Sequence, residues 1–314
     1  MSASPRGAAP VFNRAQLTTG LIALALAVLS WGPMFPLAKR ALVHVDAYFL
    51  GGMRYSGALL LFLICLAWSE GRRSFSFDGQ FVKLATFGIA GIVGYNILVW
   101  VGLTHTRAEH AAILMALQTP MTALLYWVWK GQRPANFTLA CIAAALVGVA
   151  LVVTQGKLVG AFGEGNLWGD ALVLAGAACW IVYTAGQQFV PTWSPLRYTA
   201  MTAIPGCVGL WVVVLIAWHL GAAQVPTPEK LWLIAPQLFF FTVFSTFVGV
   251  LCFNVGVKNI GPLNAMLVLN IIPVTAFAIE AGLGRQFSAV EIAGAVLVIG
   301  ALVVNNIYLR RVTR

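Results

Sequence analysis

Residues 100–120 read WVGLTHTRAEHAAILMALQTP and residues 253–273 read FNVGVKNIGPLNAMLVLNIIP, and the second stretch repeats the layout of the first. Each closes one apolar run, turns within a few residues and opens another run that carries a proline at the matching point, Pro120 and Pro273. Working outward, Trp31 corresponds to Trp180, and Leu151-Val152-Val153 corresponds to Leu302-Val303-Val304. The chain therefore reads twice, with five apolar spans in each copy. An odd number of spans inverts the second copy in a bilayer and creates a pseudo-two-fold axis in the membrane plane. Such an axis lets a central site open alternately to either side.

Composition agrees. The 314 residues are 60% hydrophobic and 9% charged, a balance that excludes a soluble domain. Spans are expected at 17–39, 46–68, 82–104, 106–130, 137–155, 167–189, 198–219, 231–257, 261–284 and 291–309. Each has roughly the 20 residues needed to cross a hydrocarbon layer. Lipid-facing backbone must satisfy its own polar groups, so the expected fold is an all-α integral membrane bundle of ten transmembrane helices in two inverted five-helix repeats. The expected organisation is a tail at 1–16, a first repeat at 17–155, a linker at 156–166, a second repeat at 167–309 and a tail at 310–314.

The formal charge of +10 points to membrane topology and not to nucleic acid. With the N-terminus in the cytoplasm, twelve Lys and Arg residues fall inside and six outside, and the bias flips between the copies as antiparallel insertion requires. All five cysteines fall within spans and read as small packing residues. The sequence holds no nucleophile elbow, zinc spacing or nucleotide-binding motif, which speaks against an enzyme, a cofactor and a primary pump.

Ser30-Trp31-Gly32 with Lys39, Arg54, the hairpin from Tyr95-Asn96 to Pro120, Gly169-Asp170 and the hairpin from Asn254 to Pro273 resemble the drug/metabolite transporter superfamily, in particular its ten-helix EamA-type bacterial members. The resemblance covers nearly the whole chain. It implies a central cavity lined by the first four helices of each copy, a bacterial plasma-membrane location and export of amino acids, other metabolites or toxic compounds. Where such chains often carry Gly-Glu after the fourth and ninth spans, this one has Gly131-Gln132 and Gly284-Arg285, so no role of those glutamates is carried over.

Polar residues within spans are the candidates for the site, because an ionisable group in hydrocarbon costs roughly 2.5 kcal/mol or more and faces the interior. Arg54 could offer a bidentate fork to a carboxylate or phosphate; the alternative is a structural cation held by helix carbonyls or by Glu109 or Glu280. Trp180, Tyr183, Thr184 and Gln187 share one helix face, with Trp31 opposite through the pseudo-symmetry. His110 and Gln118 lie on a face of the fourth span, and Asn270, Phe277 and Glu280 on a face of the ninth. Tyr95, Asn96, Trp100 and Asn254 complete the cavity candidates. Pro120 and Pro273 are candidate hinges, and Glu280 ahead of Glu109 is the candidate for proton coupling. Asp170 reads as a cap for the sixth helix, and Ala140, Ala144 and Gly148 as a close-contact stripe.

The expected occupants are a small-molecule substrate and the lipid bilayer, around a monomer or weak homodimer. Amino acids come first as substrate, with efflux of amphipathic drugs or cations as the alternative. A reporter fused after Arg314 is expected to report a cytoplasmic C-terminus; a periplasmic one would remove either a span or the inverted repeat.

Overall fold

The computed structural model describes residues 14–131, 133–154 and 166–312. Among them there is no strand; seven helices are long and apolar enough to cross a membrane, and three shorter apolar helices complete ten.

In chain order, α1 runs Arg14–Trp31, breaks at Gly32 and Pro33, and resumes over Met34–Ala41. Helix α2 is Ala47–Ser69, started by Asp46, whose side chain accepts from the backbone N–H groups of Tyr48 and Phe49. Helix α3 spans Phe81–His105. Helix α4 is built from Ala108–Ala116 and Gln118–Lys130, with a break at Leu117. Helix α5 is Asn136–Thr154, and α6 is Leu167–Phe189. Helix α7 is Pro195–His219, capped by Ser194 with proline in the first turn. Helix α8 is Ala235–Ile260. Helix α9 joins Pro262–Val268, a tight turn Leu269–Ile271 and Ile272–Gly282. Helix α10 is Ala289–Val312; the backbone N–H of Ser288 bonds Glu291 Oε2 and that of Glu291 bonds Ser288 Oγ, a reciprocal capping box.

Helix pairing follows the duplication. Helix α1 packs along α8 and α6 along α3, while α2 pairs with α7, α4 with α9 and α5 with α10. Exchanging each helix with its counterpart in the other copy maps this set onto itself, as a two-fold axis requires. The crossings are close. A Cβ added at Gly148 would lie 2.7 Å from the Gly294 carbonyl oxygen, and one at Gly294 would lie 2.7 Å from that of Gly148, so α5 and α10 meet backbone to backbone. Gly102 and Gly169 do the same between α3 and α6, also at 2.7 Å.

The two ends of the bundle are tied differently. At the face where α1 begins and α10 ends, here the terminal face, Arg197 pairs with Asp78 at 2.7 Å and Ser194 donates to Glu70. At the opposite face Glu291 takes Arg107 at 3.3 Å and Arg285 at 3.4 Å. Lys39 Nζ there donates to the carbonyls of Leu103, Thr104 and Thr106, completing the C-terminal end of α3.

Four local expectations change. Asp170 is not a cap: α6 has already begun, and the carboxylate accepts from the Thr106 hydroxyl of the α3–α4 turn. The α5 seam passes through Cys141, Ala145 and Gly148, while Ala140 is exposed, because a one-residue step rotates the helix face by about 100°. Helix α8 starts at Ala235 since residues 228–233 form a separate short helix that begins with Thr227 and Pro228. Trp193, whose place between the sixth and seventh spans suits an interfacial aromatic, is buried, with the Arg197 guanidinium carbon 3.8 Å from its ring centroid. The tail expected at 1–16 and the linker at 156–166 fall largely outside the described residues.

Gly148→Leu is expected to lower thermal stability in detergent by about 1–3 kcal/mol through overpacking. Ala140→Leu on the exposed side of α5 should leave it unchanged; equal melting of both variants would refute the seam.

Candidate functional site

Near the middle of the bundle the helices leave a small, tight chamber. Its lining comes from Trp31, Met34 and Phe35 of α1, Arg54 and Tyr55 of α2, Tyr95 of α3, Met115 and Gln118 of α4, Trp180 of α6, Ser245 and Val250 of α8, and Leu269 and Ile272 of α9. Among the described residues α5 and α10 contribute nothing to it, and neither does α7, so of the first four helices of the second copy only three line it.

The chamber sits where the helices depart from regular geometry. Helix α3 widens into i→i+5 turns over Ile89–Gly94 and α8 over Phe240–Val248, at related places in the two copies. A widened turn misaligns backbone carbonyls, and side chains answer them here. Trp31 Nε1 donates to the Ser245 carbonyl at 2.7 Å, and Asn96 Nδ2 donates to the Ile92 carbonyl at 2.6 Å. Asn96 Oδ1 then accepts from Trp100 Nε1 at 2.9 Å. Helices α4 and α9 break beside the same space. Pro120 and Pro273 follow these breaks, and neither can donate to the carbonyl a turn earlier.

Arg54 is 2% exposed, and no carboxylate pairs with it among the described residues. Its guanidinium carbon lies 4.8 Å from the Trp100 ring centroid and 5.2 Å from that of Tyr55, so two aromatic faces hold the charge. Nη1 approaches Met34 Sδ at 3.8 Å, and Nε has no hydrogen-bond partner among the described residues. The cation thus has unused donors in a buried space lined by apolar and aromatic groups. Counting eight residues on from the caps Asp46 and Ser194, the second copy has Thr202 where the first has Arg54, and the Thr202 hydroxyl bonds the Tyr198 carbonyl of its own helix.

Aromatic rings form the other wall. Trp180 meets Trp31 edge-on at 5.6 Å between centroids and also touches Tyr95 at 5.2 Å and Tyr183 at 5.1 Å. Beyond it lies a second polar cluster. Asn254 Nδ2 donates to the Tyr183 hydroxyl at 2.8 Å and to Thr199 Oγ1 at 2.7 Å, and Gln187 Nε2 donates to the Asn254 carbonyl at 3.2 Å.

Of the sequence candidates, Trp31, Arg54, Tyr95, Gln118 and Trp180 line the chamber. Asn96 and Trp100 stand behind it as supports. Tyr183, Gln187 and Asn254 gather in the second cluster. His110 is fully buried away from the chamber, with both ring nitrogens unpartnered among the described residues. Glu280 is half-buried in the last turn of α9, apart from the chamber lining. The side chains of Glu109 and Asn270 lie outside what is described. Sequence reading missed Met34, Tyr55 and Ser245. Ser245 could have been found as a hydroxyl in an aromatic run, FFFTVFSTF at 239–247, whereas nothing marks Met34, whose sulfur accepts from Ser245 Oγ at 3.1 Å.

Trp31→Phe keeps the ring and removes the donor to Ser245. It is expected to cost about 1–3 kcal/mol for the buried carbonyl left without a partner, measured by thermal unfolding in detergent; an unchanged melting point would refute the role.

Comparison with known proteins accords with this architecture. The sequence matches the EamA-like transporter family over residues 18–154 and again over 167–307. It is 30% identical to the Bacillus subtilis uncharacterized transporter YrdR over 303 residues, covering 95% of this chain and 94% of that one. A Streptantibioticus cattleyicolor protein named a probable terminal-alkyne amino-acid exporter is 27% identical over 214 residues, covering 67% of this chain and 66% of that one. A solved crystal structure superposes with a TM-score of 0.67 at 19% identity, covering 94% of this chain and 99% of that one. Two family matches spanning most of the sequence, on a ten-helix bundle duplicated about a membrane-plane axis, make this chain a member of the EamA-like transporter family.

Proposed function

We propose that the chain is a secondary carrier of the bacterial plasma membrane, with both termini cytoplasmic, that exports small polar or zwitterionic metabolites such as amino acids by alternating access between its inverted halves. The observation that carries this reading is Arg54, a buried cation with unused donors and no carboxylate partner among the described residues, on the wall of a chamber otherwise lined largely by aromatic and thioether groups. A guanidinium so placed suits a carboxylate, and the facing aromatic surfaces suit the rest of a small amphipathic molecule. The exporter named for amino acids among the relatives agrees with this class. Pro120 and Pro273, at the breaks in α4 and α9, are the hinges in this reading.

Efflux of amphipathic cations is the second reading, favoured by the aromatic wall around Trp180. A cation would have to enter beside Arg54, which places it second.

Extracellular metabolite profiles of deletion and overexpression strains identify the cargo. Arg54→Lys keeps the charge and loses the fork, so export of a carboxylate is expected to fall roughly tenfold at unchanged protein yield. Equal transport at equal yield would refute the role, and rising resistance to hydrophobic cations on overexpression, unaffected by Arg54→Lys, would favour the second reading.

A further inference from the structure

At the terminal face, the ends of α6 and α8 border a second, open space lined by Gln187, Val190, Pro191, Trp193, Lys258 and Pro262 among others. Gln187 belongs both to this vestibule and to the polar cluster behind Trp180, so it stands between the two spaces.

Two side-chain oxygens of that cluster have no hydrogen-bond partner among the described residues. Gln187 is 6% exposed, and its Nε2 must face the Asn254 carbonyl because its oxygen would be repelled there. Oε1 is left with no partner among the described residues. Thr199 has committed its hydroxyl proton to the Pro195 carbonyl at 2.7 Å, so it can only accept from Asn254 Nδ2. That fixes the Asn254 amide and leaves Oδ1 unpartnered as well. Two buried oxygens thus call for a donor. Lys258 lies four residues past Asn254 on the same face of α8, one turn or about 5.4 Å along. Its exposed ammonium makes one bond to the Trp193 carbonyl at 2.6 Å, and an ammonium has three donors.

Amide oxygens repel an anion and Lys258 repels a simple cation. A molecule with an ammonium and a carboxylate on one carbon meets both demands, and Gln187 and Lys258 line the same space. We propose that the vestibule is an access site that takes a zwitterionic amino acid, ammonium on Gln187 Oε1 and carboxylate on Lys258, before it passes Trp180 into the chamber. This rests on the amino-acid reading above. Asn254 Oδ1 is the next acceptor along the path.

The test uses everted membrane vesicles containing the full chain and a mixture of radiolabelled amino acids, followed by kinetics on the one moved fastest. Lys258→Gln and Gln187→Leu are each expected to raise its KM about tenfold, the loss of one charge-assisted hydrogen bond, with Vmax within about twofold and Lys258→Arg restoring KM. A fall in Vmax at unchanged KM would make Lys258 a tie between α8 and the α6–α7 turn and overturn the site; unchanged kinetics in both variants would overturn it too. If Lys258→Gln does not accumulate, Gln187→Leu, which keeps the tie to Trp193, decides alone. A wild type that moves no amino acid defeats the amino-acid reading and the access site together, whereas transport with indifferent variants defeats the access site only.

Discussion

Hydrocarbon offers a backbone no hydrogen-bond partner, so a bundle that opens a chamber at mid-depth must answer its own misaligned carbonyls. In this protein Trp31 answers Ser245 across the interface between α1 and α8, and Asn96 answers Ile92 within α3. The same residues then shape the site. Trp31 packs against Trp180 in a T-shaped pair, and Asn96 holds Trp100 beside the Arg54 guanidinium. Backbone support and chamber wall are therefore one network, and a change at Trp31 touches both.

The duplication explains why the chamber lies where it does. Helices α1, α3, α6 and α8 pair crosswise between the copies, and each copy brings one widened span to the centre, with broken α1 and α4 from the first copy and broken α9 from the second. The regular helices α5 and α10 are left to lock together at the side through Gly148 and Gly294. Ser245 and Leu269 of the irregular segments line the chamber, while Ile89, Phe244 and Ile271 within those segments face outward, as do Leu29, Trp68 and Trp232.

Much of this was legible in the residues. Apolar run lengths give the ten spans to within a few positions, and paired landmarks give the inversion, because both depend on composition and order alone. The facing of Trp31 and Trp180 follows from the same duplication. The misreadings have a common cause in contacts between distant segments. Asp170 has the look of a cap until Thr106 arrives from the α3–α4 turn, and Trp193 that of an interfacial anchor until Arg197 covers it. Asn254 and Gln187 carry the polarity expected of a cavity, yet they bond to each other and to Tyr183 and Thr199 and lie outside the chamber lining. Met34 enters the site through a sulfur lone pair, which no hydropathy pattern reveals.

The exchange of Arg54 for Thr202 between the copies bears on how cargo can lie. A duplicated scaffold with identical walls would accept a molecule head-first or tail-first with equal ease. Here the charge lines the chamber, and the related position carries a buried hydroxyl that is bonded to its own helix and stays out of the lining. The scaffold is nearly palindromic and the chamber is not: its one buried charge among the described residues sits to one side of the axis.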